Sequence, residues 1–208
     1  MTERCRGRES AALAAGLNAC ILAAPLAASP SSLIEPGVAV FLTLAAVFAG
    51  AEAGAQSGRD SGGGWPAFAT GIVLLALFWC ALLTRVGSPV VWRPGWIAAG
   101  ATLMVWGISL RHRAMRALGP QFVSQVRAVS MNSLVTGGVY RRRRHPSEAG
   151  LLAIGLGAAV LLTSVVAAIV WGVILMPLVL IRVRREDALL HMIYGEAYSG
   201  YARRVRAL

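Results

Sequence analysis

One uncharged apolar run, residues 149–181, limits what this chain can fold into more than any other feature. A helix needs about 20 apolar residues to cross the hydrocarbon core of a bilayer, so the run is too long for one span and barely long enough for two. Thr163 and Ser164 lie near its middle. We therefore predict a helical hairpin that turns there, with Pro177 as a candidate kink and a helical continuation through residues 182–193.

Four further apolar runs precede the hairpin, and 57% of the chain is hydrophobic, which is more than soluble domains carry. They cover residues 11–28, 37–51, 65–84 and 96–110. We interpret the first as a retained helix rather than a cleaved signal peptide, because more spans follow it. The second extends toward residue 55 if Glu52 faces a partner helix or the interface. The prediction is an all-α integral membrane protein of about six helical segments: four spans, a cytoplasmic loop, then a hairpin with a C-terminal cytoplasmic extension.

The arginines predict the orientation of these spans. Residues 111–145 carry eight arginines and no acid, and the tail from residue 182 carries six more. Cytoplasmic loops collect positive charge, so the N-terminus, the central loop and the C-terminus are expected in the cytoplasm. A single long tilted helix over residues 149–181 would send the tail to the other side. The arginines that give the chain its net charge of +11, chiefly residues 141–143, are expected to contact anionic lipid headgroups rather than nucleic acid.

Polar chemistry is concentrated in residues 134–150, which hold a Gly-Gly pair, Tyr140, four arginines and His145 before a proline. Farther on, Arg182 and Glu186 are spaced to share one face of a helix. On spacing alone each feature has a simpler interpretation: a turn, a helix cap or a solvated ion pair. The three cysteines have no paired spacing, so we expect neither a disulfide framework nor a metal site. The sequence has no P-loop, HExxH, GxSxG or Rossmann fingerprint.

Together these residues resemble the isoprenylcysteine carboxyl methyltransferase family and its bacterial relatives. The matching blocks read RAMRALGPQF at 113–122, LVTGGVY at 134–140, RHPS at 144–147 with Gly150, RVRRED at 182–187, and YGEAY at 194–198 followed by Tyr201 and Arg204. They keep the family's order across residues 111–206. The earlier residues match only as hydrophobic spans.

The resemblance implies a membrane enzyme that transfers a methyl group from S-adenosylmethionine to a lipophilic or lipidated substrate, with a carboxylate, hydroxyl or thiol as acceptor. With the apolar runs described above, the chain divides into four transmembrane helices, residues 1–110, and a methyltransferase core, residues 111–208. Arg182 would face the substrate's acceptor group as the catalytic and substrate-binding residue. The residues that would bind the cofactor are Leu134, Val135, Tyr140, His145, Pro146, Ser147 and Glu186.

Two positions depart from the family pattern: Glu148 stands where an aromatic residue is frequent, and Asn132 where a histidine is frequent. A cofactor contact from Gln125 or Arg127 stays open. Two rival functions also stay open: a non-enzymatic membrane protein that binds anionic lipid, and a nicotinamide-dependent membrane reductase of similar build. Binding of S-adenosylmethionine separates the first hypothesis from both.

Overall fold

The computed structural model describes residues 35–56, 65–86, 93–119 and 134–208, and within these ranges the chain is helical and contains no strand. A short 3₁₀ turn, Gly138–Arg141, precedes the fourth of six helices. The helices are α1 Pro36–Gln56, α2 Trp65–Val86, α3 Pro94–Leu118, α4 Pro146–Leu161, α5 Val165–Tyr194 and α6 Glu196–Arg204. The all-α prediction is confirmed for these residues. The predicted first helix, residues 11–28, lies outside the described residues.

The long apolar run forms the predicted hairpin. Helix α4 ends at Leu161 and α5 begins at Val165, with Thr163 in the left-handed region at φ 51°. Ser164 caps α5, because its hydroxyl accepts a hydrogen bond from the backbone N–H of Ala167 at 3.1 Å. The Thr84 hydroxyl of α2 donates to the same oxygen at 2.6 Å. The turn is therefore capped locally and tied to a neighbouring helix, which excludes one long tilted helix.

Pro177 affects α5 through the turn that precedes it. Residues Trp171–Leu175 form a π-helical turn, and the α-helix resumes at Met176. Proline has no N–H to donate to the carbonyl four residues earlier, and π turns are one way in which a helix accommodates such a break. The Trp171 indole donates to the Leu152 carbonyl at 2.8 Å and links the turn to α4. Helix α5 then continues to Tyr194, as predicted for residues 182–193.

Helices α3 and α4 approach each other through glycines spaced seven residues apart. A Cβ placed on Gly107 would lie 2.6 Å from the Gly150 carbonyl oxygen, and one on Gly157 would lie 2.8 Å from the Gly100 carbonyl oxygen. A seven-residue spacing keeps such contacts on one face of both helices. Only residues without a side chain allow backbones to come this close. The four glycines therefore fix the α3–α4 distance, and with it the start of α4.

Polar contacts group at opposite ends of the bundle. At one end, Arg85 at the end of α2 pairs with Glu35 just before α1, near the capped hairpin turn. At the other end, Glu52 of α1 pairs with Arg111 of α3 at 2.5 Å between Oε1 and Nε. Glu52 thus faces a partner helix, one of its two predicted environments. The helices alternate in direction as predicted, and the cytoplasmic orientation stays a prediction.

Among the described residues, α5 is the one helix long and apolar enough to cross a membrane by length and composition. Three shorter apolar helices are Pro36–Glu52, Ala69–Arg85 and Pro146–Leu161. The predicted span at residues 96–110 is part of the longer helix α3, which continues through three arginines to Leu118. The number of spans therefore stays a prediction.

The glycine contacts generate a stability prediction. Gly107→Ala places a methyl group against the Gly150 carbonyl, so the two helices must separate. We expect a loss of about 1–3 kcal/mol in the free energy of unfolding, the usual cost of overpacking. The matched control is Gly71→Ala on α2, where a Cβ meets nothing within 4 Å. Thermal melts followed by circular dichroism should show a lower midpoint for Gly107→Ala alone. Equal midpoints for both variants would contradict the packing argument.

Candidate active site

His145 lies at the start of α4, and its side chain crosses to α5. Its backbone occupies the cap position before Pro146, but its ring makes no capping hydrogen bond and is 2% exposed. Nε2 lies 2.7 Å from Asp187 Oδ1, and Nδ1 lies 3.5 Å from Glu186 Oε2. The His-Pro step therefore starts the helix with its backbone and places an imidazole between two carboxylates.

These carboxylates decide the charge of His145. Burial lowers its pKa, but the hydrogen bonds and charges of Glu186 and Asp187 outweigh burial, so the pKa is raised. An imidazolium with acids on both ring nitrogens donates from each of them. The two carboxylates thus favour the protonated form of His145 over a neutral imidazole.

Asp187 joins three parts of the chain. Besides His145, it accepts from Arg144 Nη1 at 3.0 Å and from the Tyr198 hydroxyl of α6. Burial raises the pKa of Tyr198, and Asp187 raises it further, so the phenol keeps its proton and donates. Sequence reasoning assigned no binding or catalytic role to Asp187, Arg144 or Tyr198. The available signal was their presence inside the blocks that carry the family resemblance.

The C-terminal segment fixes the loop that carries His145. The backbone N–H groups of Arg144 and His145 donate to the carbonyls of Arg206 and Ala207 at 2.8 and 2.9 Å. The Tyr201 hydroxyl donates to the Tyr140 carbonyl at 2.6 Å. Helix α6 and the residues after it therefore hold residues 140–145 against the bundle.

The four-arginine run divides into two surroundings. Arg141 and Arg142 are exposed to solvent. The Arg143 guanidinium lies 5.9 Å from the centroid of the Trp106 ring on α3, a cation–π geometry. Arg144 points inward to Asp187. The predicted headgroup contacts concern the first three of these residues.

A second pair crosses from α4 to α5 beside the first. Arg182 Nη2 lies 3.4 Å from Glu148 Oε1, with 21% and 4% of the two side chains exposed. Arg182 precedes Glu186 by one turn, and Glu148 follows His145 by nearly one turn, in antiparallel helices. The predicted shared face of Arg182 and Glu186 is therefore observed, and it faces the start of α4.

Ser147 turns to α3. Arg111 Nη1 donates to its hydroxyl at 2.7 Å, while Arg111 Nε and Nη2 contact the two carboxylate oxygens of Glu52 at 2.5 and 2.9 Å. Arg111 is 8% exposed and was not selected from the sequence. The sequence feature that could have indicated Arg111 is its position as a charged residue at the end of an apolar run, where ionised groups are candidates for function.

The remaining predicted residues are less closely grouped. Tyr140 is buried and within electrostatic reach of Glu186, and Pro146 is buried as the first residue of α4. Leu134 and Val135 are partly exposed in the segment before the 3₁₀ turn. The structure thus brings His145, Glu186, Arg182 and Tyr140 to one end of the bundle. Gln125 and Arg127 lie outside the described residues.

Comparison with known proteins shows which proteins this end of the bundle resembles. A family model described as Phospholipid methyltransferase matches residues 96–197, which include every predicted site residue. The chain is 33% identical to protein-S-isoprenylcysteine O-methyltransferase B of Arabidopsis thaliana over 126 residues, 57% of this chain and 64% of that protein. Over this part of its length the chain is similar to an isoprenylcysteine methyltransferase.

Two other relatives show the same level of identity to this chain. Protein-S-isoprenylcysteine O-methyltransferase of Mus musculus is 33% identical over 113 residues, and that of Schizosaccharomyces pombe is 33% identical over 102 residues. These alignments cover 53% and 48% of this chain, but 40% and 43% of the relatives. The chain therefore spans about half the length of the curated relatives it matches. The resemblance inferred from the sequence blocks is confirmed.

The His145 cluster predicts a pH dependence of stability. A raised pKa means that the proton on His145 stabilises the folded state below the unfolded value of about 6.5, and that this contribution is lost as pH rises through the folded value. Melting midpoints of the wild-type protein should therefore fall more than those of His145→Gln between about pH 6 and about pH 9. His191→Gln, which removes an exposed histidine of α5, should follow the wild-type curve. Parallel curves for the wild type and His145→Gln would contradict this charge assignment.

Proposed function

We propose that this chain is an S-adenosylmethionine-dependent methyltransferase that works in a membrane on a lipophilic substrate, whose methyl-accepting group is a carboxylate, hydroxyl or thiol. The observation that carries the proposal is the pair of adjacent contacts between α4 and α5, His145 with Glu186 and Glu148 with Arg182. Both lie inside the segment that matches methyltransferases. The names of the relatives support O-methyl transfer to a prenylated cysteine in those proteins.

The surface of α5 supports a membrane location. Its outward face is apolar and largely exposed, with Val165 at 72%, Ile169 at 57% and Val173 at 69%. The core helix of a soluble protein would bury such residues, whereas 17% of the apolar window of α5 is buried. A contiguous apolar face of this kind suits contact with lipid. Multi-pass insertion, with the site end and both termini in the cytoplasm, extends this proposal.

The residues at the end of the bundle that holds His145 and Glu186 fit the methyl donor. The donor carries a positive sulfonium, and Glu186 and Asp187 supply negative charge at the end of the cluster. Glu186 keeps 21% of its side chain exposed, so a ligand can reach it. Leu134 and Val135 offer partly exposed apolar surface, and Tyr140 an aromatic wall. In this proposal His145, Pro146 and Ser147 close the pocket.

The protein's part in the reaction is alignment. The donor, when bound, supplies an activated methyl group. Glu186 holds the donor and Arg182, one turn away on the same helix, faces the acceptor, so α5 fixes the distance between the groups that hold the two reactants. Alignment of this kind supplies a large share of the rate of a displacement reaction. The side chains of His145 and Glu148, 2% and 4% exposed, keep water from part of the site, which strengthens the charge contacts there.

The two-part division of the chain belongs to the same proposal. Residues 1–110 would form membrane helices and residues 111–208 the methyltransferase core. In the core, the exposed Arg141 and Arg142 would contact anionic headgroups at the membrane surface.

The roles of Glu186 and Arg182 are separable by mutation. In Glu186→Ala the binding of S-adenosylmethionine should weaken by about 10-fold or more, as expected for the loss of a carboxylate beside the positive charge of the donor. In Arg182→Ala that binding should be nearly intact while turnover is lost. Isothermal titration on protein in nanodiscs measures the first, and transfer of a labelled methyl group measures the second. Wild-type binding and turnover in both variants would refute these assignments, and no binding by folded wild-type protein would refute the function.

The membrane location is testable on α5 with two lysine substitutions. Val173→Lys puts a charge in the apolar face, at a cost of about 3 kcal/mol in a bilayer. Met192→Lys, at a side chain that is 81% exposed beyond the apolar run, is the matched control. The amount of monodisperse protein extracted from membranes should fall for Val173→Lys alone. Equal recovery of the two variants would argue against burial of this face in lipid.

A further inference from the structure

Glu148 has a feature that the proposed function leaves unexplained. Its side chain is 4% exposed. Its Oε2 atom is the one buried side-chain oxygen or nitrogen without a hydrogen-bond partner within residues 35–56, 65–86, 93–119 and 134–208. Leaving such an atom unpaired costs about 1–3 kcal/mol, and more if the group is charged. A donor on a bound ligand would remove this cost.

The groups around Glu148 come from three different elements. Arg182 of α5 lies 3.4 Å from Oε1, on the other oxygen of the same carboxylate. Arg111 of α3 and Tyr140 of the 3₁₀ turn lie within electrostatic reach. Arg111 already contacts both carboxylate oxygens of Glu52. Arg182 and Arg111 are therefore each paired with a carboxylate. These two residues add no net positive charge to the site.

This charge balance disfavours an anionic methyl acceptor. A carboxylate placed at Arg182 would share that guanidinium with Glu148, and two like charges a few ångströms apart in an apolar surrounding repel strongly. An uncharged acceptor that carries a hydrogen on its reactive atom meets no such repulsion. Its O–H or S–H can donate to the unpaired Oε2 of Glu148, which satisfies both groups.

The position of Glu148 also suits the transfer. One helical turn separates the Glu148–Arg182 contact from the His145–Glu186 contact, which is a rise of about 5.4 Å. Reacting atoms in a productive complex lie about 3–3.5 Å apart. An acceptor hydrogen-bonded to Oε2 can thus lie beside a methyl donor held at Glu186.

We propose that Glu148 is the proton acceptor for methylation of a lipophilic phenol or thiol. The inference rests on the proposed function, which supplies the methyl donor. The acceptor's oxygen or sulfur forms a bond to the methyl carbon with its lone pair, and its proton moves to Glu148 Oε2. The carbon–sulfur bond of the sulfonium breaks, and its electron pair goes to sulfur. Phenols and thiols, with pKa values of about 10 and about 8.5, suit a carboxylate base better than aliphatic alcohols do.

The acceptor class is tested with three probes of similar apolar length on the full chain in nanodiscs: dodecylphenol, dodecanethiol and N-acetyl-S-farnesylcysteine. Transfer of labelled methyl from S-adenosylmethionine is measured for each. We expect the phenol or the thiol to be methylated, and the farnesylcysteine carboxylate to react more slowly by about 10-fold or more. The probe that is methylated identifies the acceptor atom.

The role of Glu148 is tested with Glu148→Gln, which keeps the shape and the contact to Arg182 but removes the base. We expect kcat to fall by about 100-fold or more, with unchanged affinity for S-adenosylhomocysteine. The acid limb of the wild-type pH–rate profile should disappear in this variant. Glu196→Gln, at a side chain that is 91% exposed, should behave as wild type.

Three results would overturn the inference: preference for the carboxylate probe, no methylation of any probe by protein that binds S-adenosylhomocysteine, or equal kcat for Glu148→Gln and Glu196→Gln. Absence of S-adenosylhomocysteine binding by folded wild-type protein is a separate result, because it removes the proposed function itself.

Discussion

The structure depends on the pairing of ionised side chains across helix boundaries. Removing a charge from water is costly unless a partner of opposite sign and further hydrogen bonds replace the lost solvation. At the site end, α1 pairs with α3 through Glu52 and Arg111, and α4 pairs with α5 through Glu148 and Arg182. Apolar packing alone sets no register between smooth helices, whereas each of these pairs requires one. The positions that hold the bundle in register are thus also the positions that give the site its charge.

Several of these features could be predicted from residues alone. The length of the uncharged run and the charges that follow it predict a hairpin, and helical periodicity puts Arg182 and Glu186 on one face. Both predictions rest on local spacing, which a sequence states directly. The glycines at 100, 107, 150 and 157 also repeat at a seven-residue interval. That repeat was available as a signal for the close contact of α3 and α4.

Other features could not be predicted, because they depend on which segments meet in space. Nothing in the order of residues indicates that Asp187 would receive Arg144, His145 and Tyr198 at once. The role of Arg111 also needs α1, α3 and α4 together, since it joins Glu52 to Ser147. Family resemblance marked the blocks that hold most of these residues without stating their contacts. Glu186 and Asp187 are neighbours in sequence that both contact His145, and Asp187 also receives Arg144 and Tyr198, an arrangement that only the fold shows.

The π-helical turn in α5 has a geometric consequence for the site. An α-helix advances about 100° per residue, and a π turn inserts roughly one extra residue into that progression. All side chains after Trp171–Leu175 are therefore rotated by about that angle relative to an uninterrupted α-helix. Arg182 and Glu186 follow the turn and meet α4 in this rotated frame. The π turn lies in the apolar half of α5. It therefore determines which side chains in the polar half of α5 the first turn of α4 can contact.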